Sequence, residues 1–215
     1  MTLREEEVTE VRKLVVFFDM CSSSSILENL KSADRLGQMR NLLIDMKEFL
    51  SKSSEHVGFK VYKFLGDGWI LLFPAETKGT TLIEFLTNIS LHFRNSMRRL
   101  VKPYLSSMVS EIGLTFGIDE GTLIRFTMME RTEYVGRALN VASRLQSAIK
   151  DKDNHPAYKC LISKPAFTGL GLPRTEWSKY KVTPVKRALR NIQGGGEFRC
   201  MKLCLPLPVP LVPED

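Results

Sequence analysis

Two aspartates each follow an apolar segment of the sequence. Asp19 ends the run KLVVFFD, and Asp67 lies between two glycines in the segment YKFLGDGWILLF. Carboxylate oxygens are the ligands that Mg²⁺ and Mn²⁺ prefer, together with waters and substrate phosphates. Two ions bridged by such a pair can activate an oxygen nucleophile and stabilise a leaving phosphate. Taken alone, each aspartate is better explained as a helix cap or a turn residue, so the metal hypothesis requires that the fold bring the two together.

A second pair of polar side chains, Asn140 and Arg144, lies four residues apart in a segment with helical periodicity. Residues at this spacing share one face of a helix, so both can point at one ligand. An arginine offers a forked set of donors that matches phosphate oxygens. The neighbouring Ala138, Ala142 and Ser143 are small, which favours a closely approached surface over a solvated one.

Apolar periodicity predicts the elements that must position these residues. Strands are predicted over residues 13–19, 59–65, 69–73, 111–118, 122–128, 158–163, 180–185 and 197–205. Helices are predicted from about Ile26, over 32–50, 80–101 and 135–150, and briefly after residue 163. The serines at 22–25 are candidate N-caps of the first helix. This order predicts an α+β fold whose first part is a ferredoxin-like, split β-α-β core, a mixed sheet with flanking helices.

Such a core brings the two aspartates to one place. Its first and second strands run parallel, and the third lies antiparallel between them. The Gly-Asp-Gly segment predicts a tight hairpin between the second and third strands. We therefore expect this hairpin, with Asp67, at the end of the sheet where the first strand finishes with Asp19.

Composition limits the class of protein. The chain has 215 residues, 43% hydrophobic and 26% charged, which suits one domain with a proper core and argues against disorder. No apolar run is long enough to span a membrane, and the charged start lacks the apolar stretch of a secretory signal. Four cysteines are typical of reduced thiols in the cytoplasm, where we expect the protein.

The net charge of +7 suits an anionic partner. No run of Lys and Arg interleaved with aromatic residues is present, so we expect neither a nucleic-acid nor a membrane partner. The domain is predicted over residues 1–205. A turn is predicted at 194–196, and 206–215 is expected to be an extended, proline-rich tail.

Four segments, in order, resemble the motifs of one enzyme family. VVFFDMCSSSS, YKFLGDGWILLF, GLTFGIDEGTL and EYVGRALNVASRLQ are similar to the catalytic domains of class III nucleotidyl cyclases, the adenylate and guanylate cyclases. The resemblance implies conversion of a nucleoside triphosphate into a 3′,5′-cyclic monophosphate and pyrophosphate, in a homodimer with active sites between the two domains. It also implies two Mg²⁺ or Mn²⁺ ions per site.

The resemblance assigns roles to individual residues. Asp19 and Asp67 take the positions of the metal-binding aspartates, with the Met20 carbonyl nearby. Asn140 takes the position of the ribose-orienting asparagine, and Arg144 that of the arginine that stabilises the transition state.

Two further positions concern the base. Lys63 matches the base-recognising lysine of adenylate cyclases, and Glu133 matches its partner, which is more commonly Asp or Thr. The pair favours ATP over GTP. Cytosine also presents an amino donor beside a ring-nitrogen acceptor, so the alternative is a pyrimidine cyclase that makes cyclic CMP or cyclic UMP, as in bacterial antiphage systems. A further alternative is a catalytically silent module that binds a nucleotide, although such modules usually lack one of the aspartates or the arginine.

Overall fold

The structure, a computed structural model, describes residues 8–106, 109, 111–150, 153–190, 192 and 197–207. Its strands are β1 (Thr9–Met20), β2 (Lys60–Phe64), β3 (Gly68–Pro74), β4 (Leu114–Met128), β5 (Arg131–Val135), β6 (Lys159–Ser163), β7 (Thr183–Ala188) and β8 (Glu197–Cys204). Its α-helices are α1 (Ser23–Ser32), α2 (Leu36–Val57), α3 (Gly79–Leu100), α4 (Arg137–Lys150) and α5 (Lys164–Gly169). Within these ranges, no helix combines the length and apolar character that a membrane crossing requires.

The strands form one mixed sheet in the order β2-β3-β1-β4-β6-β8-β7, with β5 paired to β4. The β4–β6 pair is parallel, and the other pairs are antiparallel. β3 lies antiparallel between β1 and β2, as the split β-α-β arrangement requires. The predicted α+β class and mixed sheet are confirmed.

The middle of strand β1, residues 14–18, is apolar because helices cover both faces of the sheet there. Leu14, Val16 and Phe18 belong to the larger core, which also contains residues of α1, α2 and α3. The alternate residue Val15 packs with residues of α4 on the opposite face. Asp19 follows the same alternation and therefore lies on the α4 face of the sheet.

Helix α4 lies directly on β4 because Gly117 has no side chain. A Cβ atom at this position would lie 2.0 Å from the Ala142 carbonyl oxygen and 2.3 Å from the Gln146 nitrogen. The glycine thus allows the helix backbone to approach the strand at van der Waals distance. This contact holds α4, with its predicted site residues, at a fixed height above the sheet.

Four predictions about elements were wrong. The strands predicted at 111–118 and 122–128 are one strand, β4, because Thr122 and Gly121 continue the pairing with β1 where a turn was expected. β5 was missed, and its last residue, Val135, had been assigned to the following helix. The strand predicted from Tyr180 begins at Thr183. Ser22, at the start of α1, has a left-handed backbone and no capping hydrogen bond from its side chain.

All four cysteines are free, and three of them are buried. The turn predicted at 194–196 and residues 208–215 of the predicted tail lie outside the described residues.

Candidate active site

Asp19 and Asp67 converge as the sequence predicted. Asp19 pairs in register with Gly68, the neighbour of Asp67. The Met20 backbone N–H donates to the Asp67 carbonyl oxygen at 3.3 Å. The two aspartates border one small pocket of about 170 Å³, lined by Phe17, Phe18, Asp19, Leu65, Asp67, Gly68 and Gln146.

Gly68 leaves the space that this convergence needs. A Cβ atom there would lie 2.3 Å from the Phe18 carbonyl oxygen and 3.1 Å from Oδ1 of Asp19.

The hydroxyl of Ser23, the first residue of α1, donates to Oδ2 of Asp67. Ser23 therefore orients a site carboxylate, a role that sequence analysis missed when it treated the serines as helix caps.

Gln146 orients the other carboxylate and was also missed. Its side chain lies on the sheet-facing side of α4 and is only 6% exposed. Its Nε2 donates to Thr115 Oγ1 at 2.8 Å and to Asp19 Oδ2 at 3.4 Å. The sequence did carry a signal for this role: Gln146 is a polar residue at a position that the helical periodicity predicts to be buried.

The donor set at this pocket fits a hard divalent cation. Both carboxylates accept hydrogen bonds from neutral donors, Asp67 from Ser23 and Asp19 from Gln146. Two carboxylates leave coordination positions for waters and substrate phosphates, as Mg²⁺ sites usually do. Met20 follows Asp19 at the strand end, and its side chain is buried in the core of the opposite face, so it can contribute only its backbone.

Lys63 and Glu133 form a second cluster. The Lys63 Nζ lies 2.8 Å from Oε2 of Glu133, with the Glu133 side chain largely buried and the Lys63 side chain half exposed. The Tyr62 hydroxyl donates to the same Oε2 at 2.5 Å and accepts the Tyr134 backbone N–H at 3.1 Å. Tyr62 thus anchors Glu133 to the backbone of its own strand, β5.

These contacts determine the charge state of the cluster. The Lys63 ammonium, and next the Tyr62 hydroxyl, lower the pKa of Glu133 by donating to its carboxylate. The Glu133 carboxylate raises the pKa of Lys63. Burial, followed by the hydrogen bond to Glu133, raises the pKa of Tyr62. A charged donor and a charged acceptor therefore stand side by side at neutral pH, with a neutral phenol behind them.

Asn140 and Arg144 share one face of α4, as their spacing predicted. Both are exposed. They lie on the side of the helix opposite Ala142, which packs on the sheet. The fold therefore brings Asp19 close to Asp67, and Lys63 close to Glu133. Asn140 and Arg144 instead point outward from α4.

The fold is that of adenylyl and guanylyl cyclase catalytic domains. A bacterial light-regulated adenylyl cyclase matches with a TM-score of 0.68 and 15% identity over 92% of this chain, which spans about half (53%) of that protein. The guanylyl cyclase Cya2 matches at 0.67 with 17% identity, covering 93% of this chain and 95% of that one. The adenylyl cyclase CyaB from P. aeruginosa matches at 0.65 with 18% identity, covering 92% and 95%. No protein-family model matches the sequence, and no curated protein matches it.

Proposed function

We propose that this protein is a nucleotidyl cyclase that converts a nucleoside triphosphate into a 3′,5′-cyclic monophosphate and pyrophosphate. The observation that carries the proposal is the meeting of Asp19 and Asp67 at one pocket, within a fold shared with adenylyl and guanylyl cyclase catalytic domains. The reaction forms a bond between the 3′-oxygen and the α-phosphorus. The bond between the α-phosphorus and the leaving pyrophosphate oxygen breaks, and the 3′-hydroxyl proton passes to solvent.

In this proposal Asp19 and Asp67 hold two Mg²⁺ or Mn²⁺ ions, with the Met20 carbonyl as an additional oxygen ligand. When bound, the ions supply activation of the 3′-hydroxyl and charge neutralisation at the phosphates. The contribution of this chain is to hold the carboxylates still. Ser23 orients Asp67, and Gln146 orients Asp19, so that little reorganisation is needed during the reaction.

Asn140 and Arg144 act on the ribose and on the α-phosphate, respectively. The Asn140 side chain orients the ribose so that its 3′-oxygen lies in line with the leaving group. The Arg144 guanidinium stabilises the negative charge that builds up on the phosphate oxygens. Because both side chains point away from the sheet that carries Asp19, we assign them to the pocket of a second copy, in a homodimer with two shared sites.

Lys63 and Glu133 recognise the base. Lys63 donates to a ring nitrogen, and Glu133 accepts from the neighbouring amino group, which adenine and cytosine both offer. Guanine and uracil carry a ring N–H, a donor, where adenine and cytosine carry an acceptor nitrogen. They also carry a carbonyl oxygen, an acceptor, where adenine and cytosine carry the amino donor. We therefore favour ATP as substrate, with CTP as the alternative that the same contacts permit.

The test is incubation of the purified protein with ATP, GTP, CTP and UTP separately, in Mg²⁺ or Mn²⁺, with chromatographic identification of the products. We expect cyclic AMP and pyrophosphate. Cyclic CMP or cyclic UMP would overturn the choice of base and support the antiphage alternative. If no nucleotide gives a cyclic product while the dimer stays intact and still binds nucleotide, the proposal is overturned in favour of a catalytically silent nucleotide-binding module.

Shared sites have a separate test. Asp67→Ala and Arg144→Ala proteins are each expected to be inactive, and mixing them should restore activity because one site of each heterodimer is intact. A subunit-exchange control with differently tagged wild-type chains shows that heterodimers form. Exchange without restored activity would contradict shared sites.

A further inference from the structure

Two grooves flank the first half of α3. The larger, about 620 Å³, runs between α2 and α3, and we call it the helix groove. The smaller, about 360 Å³, lies between α3 and residues 172–180, and we call it the exit groove. Glu84 and Asn88, one turn apart on α3, line both grooves. The grooves are therefore separated by the width of one helix, about 10 Å.

The helix groove combines aromatic walls with a polar rim. Its large apolar lining residues are Phe49, Val57 and Phe85, and Lys52 and Ser53 of α2 lie beside them. Aromatic-lined grooves are the surfaces that bind proline-rich segments in the polyproline II conformation. The helix groove therefore suits such a segment, and Lys52 adds a positive charge at its edge.

The last described residues lead into these grooves. The backbone N–H of the buried Leu205 donates to the Tyr158 carbonyl oxygen at 2.9 Å. The next residue, Pro206, lines the exit groove. Residues 206–213 read PLPVPLVP, four prolines and four aliphatic residues without a polar side chain. Such a segment loses little backbone entropy on binding, and it gains free energy by removing apolar surface from water.

The segment that follows is long enough to cross α3. In the polyproline II conformation, residues 208–213 would span about 19 Å, at roughly 3.1 Å per residue. This length exceeds the width of the helix and reaches from the exit groove into the helix groove. Pro210 and Pro213 are one polyproline II turn apart, so their rings would lie on one side of the segment. Glu214 and Asp215 follow, and their negative charges complement Lys52.

We propose that residues 208–213 cross α3 and bind in the helix groove of the same chain. The proline rings pack against Phe49 and Phe85, and the two acidic residues that follow face Lys52. The contact joins the end of β8 to α2 on the face of the sheet opposite α4. It is an intramolecular interaction that neither the proposed reaction nor a site shared by two copies requires.

The first experiment traps the contact within one chain. Ser53→Cys, in the helix groove, and Val212→Cys are combined with Cys204→Ser, which removes the one native cysteine that is not buried. After mild oxidation we expect a disulfide within the single chain, identified by non-reducing electrophoresis and by mass spectrometry of the linked peptides. The control replaces Ser53→Cys with Ser51→Cys, at an exposed position of α2 that lines neither groove. Cross-linking no greater than that of the control would overturn the proposal, as would a disulfide between two chains, which would assign the segment to a second copy.

The second experiment measures how fast a maleimide labels the thiol of Val212→Cys, again with Cys204→Ser. We expect labelling about tenfold slower in the folded chain than in urea, because the bound segment shields the thiol. Ser53→Glu places a carboxylate beside the acidic residues of the bound segment, so the labelling rate should rise several-fold. Ser51→Glu makes the same charge change outside the groove and should leave the rate unchanged.

Glutamate suits a helix better than serine, so both glutamate variants should keep the wild-type melting temperature. Labelling as fast as in urea, or a slow rate that Ser53→Glu leaves unchanged, would overturn the proposal. Neither experiment measures catalysis, so an inactive protein that gives both expected results would overturn only the cyclase assignment.

Discussion

The Lys63 ammonium lies 2.8 Å from the Glu133 carboxylate, although 70 positions separate the two residues in the chain. They reach each other because the β4–β5 hairpin packs against β2, with the Tyr62 and Tyr134 rings in edge contact at a centroid distance of 5.1 Å. The Tyr62 hydroxyl completes the cluster by binding both the Glu133 side chain and the Tyr134 backbone. The aromatic pair thus supports the charged pair from behind, and the contact to a base that we propose requires side chains held in place in this way.

We expect Tyr62→Phe to weaken base selection. The variant removes the hydrogen bond that positions Glu133 and leaves the Tyr134 N–H without this acceptor, at a cost of about 1 kcal/mol. The ratio of kcat/KM for the preferred amino base to that for GTP or UTP should fall several-fold, more than kcat itself. Tyr104→Phe, at an exposed tyrosine, is the matched control. An unchanged ratio in Tyr62→Phe would contradict the positioning role.

We expect Asp19→Asn and Asp67→Asn to lower activity by about 100-fold or more, since each removes a proposed charged ligand of the metal ions at the reacting phosphate. Mn²⁺ binding, followed by electron paramagnetic resonance in the presence of nucleotide, should weaken in parallel. Asp34→Asn changes an exposed carboxylate outside the pocket and should match wild type in both assays. Normal Mn²⁺ binding by both site variants would exclude these aspartates as metal ligands.

Gly117→Ala should destabilise the fold and disturb the site together. The new Cβ would lie 2.0 Å from the Ala142 carbonyl oxygen, so α4 must move away from β4. Overpacking of this kind costs about 1–3 kcal/mol, measured as the free energy of unfolding in urea. Gly37→Ala is the control, because nothing lies within 4 Å of its Cβ position and alanine favours the helix in which it lies. A wild-type unfolding curve for Gly117→Ala would show that the helix does not depend on this contact.

Asp119 predicts a pH dependence of stability. Burial raises the pKa of this carboxyl above its ordinary value of 3.8, while the Ser163 hydroxyl, donating at 2.5 Å, and nearby Arg137 oppose the rise. A raised pKa in the folded state means that the contribution of Asp119 to stability is fully present below pH 3.8 and declines as the pH rises through the folded value.

Asp119→Asn removes this decline, because the amide stays neutral and its oxygen can still accept from Ser163. Urea unfolding between about pH 4 and pH 7 should show the variant gaining stability over wild type as the pH rises. Asp34→Asn controls for the loss of one negative charge at the surface. A pH-independent difference between Asp119→Asn and wild type would contradict the expected titration.

Local pattern was sufficient to locate the aspartates. The apolar run before Asp19 and the glycines around Asp67 are short-range signals, and the β-α-α-β-β order leaves few ways to arrange three strands. The same reasoning failed for β4, where Asp119, Glu120 and Gly121 resemble a turn. Pairing with β1 continues through all three residues and overrides that preference, since each added ladder hydrogen bond is lost if the strand stops.

The positioning residues could not be inferred in the same way. Ser23 belongs to a serine run that is equally suited to capping a helix, and Gln146 stands out as a polar residue at a buried position of α4 without indicating which group it contacts. Their roles depend on what lies across the sheet, on Asp67 for Ser23 and on Asp19 and Thr115 for Gln146.

The sequence by itself determined which chemical groups are present, the order of the elements and, through the split β-α-β core, the meeting of Asp19 with Asp67. Only the tertiary structure decided that Tyr62 secures Glu133, that Gln146 holds Asp19, and that Asn140 and Arg144 face away from the sheet. The reason is physical. Periodicity records which face of an element is buried, whereas a hydrogen bond between distant residues depends on how two elements cross, and Gly117 and Gly68 set that approach at distances no local pattern encodes.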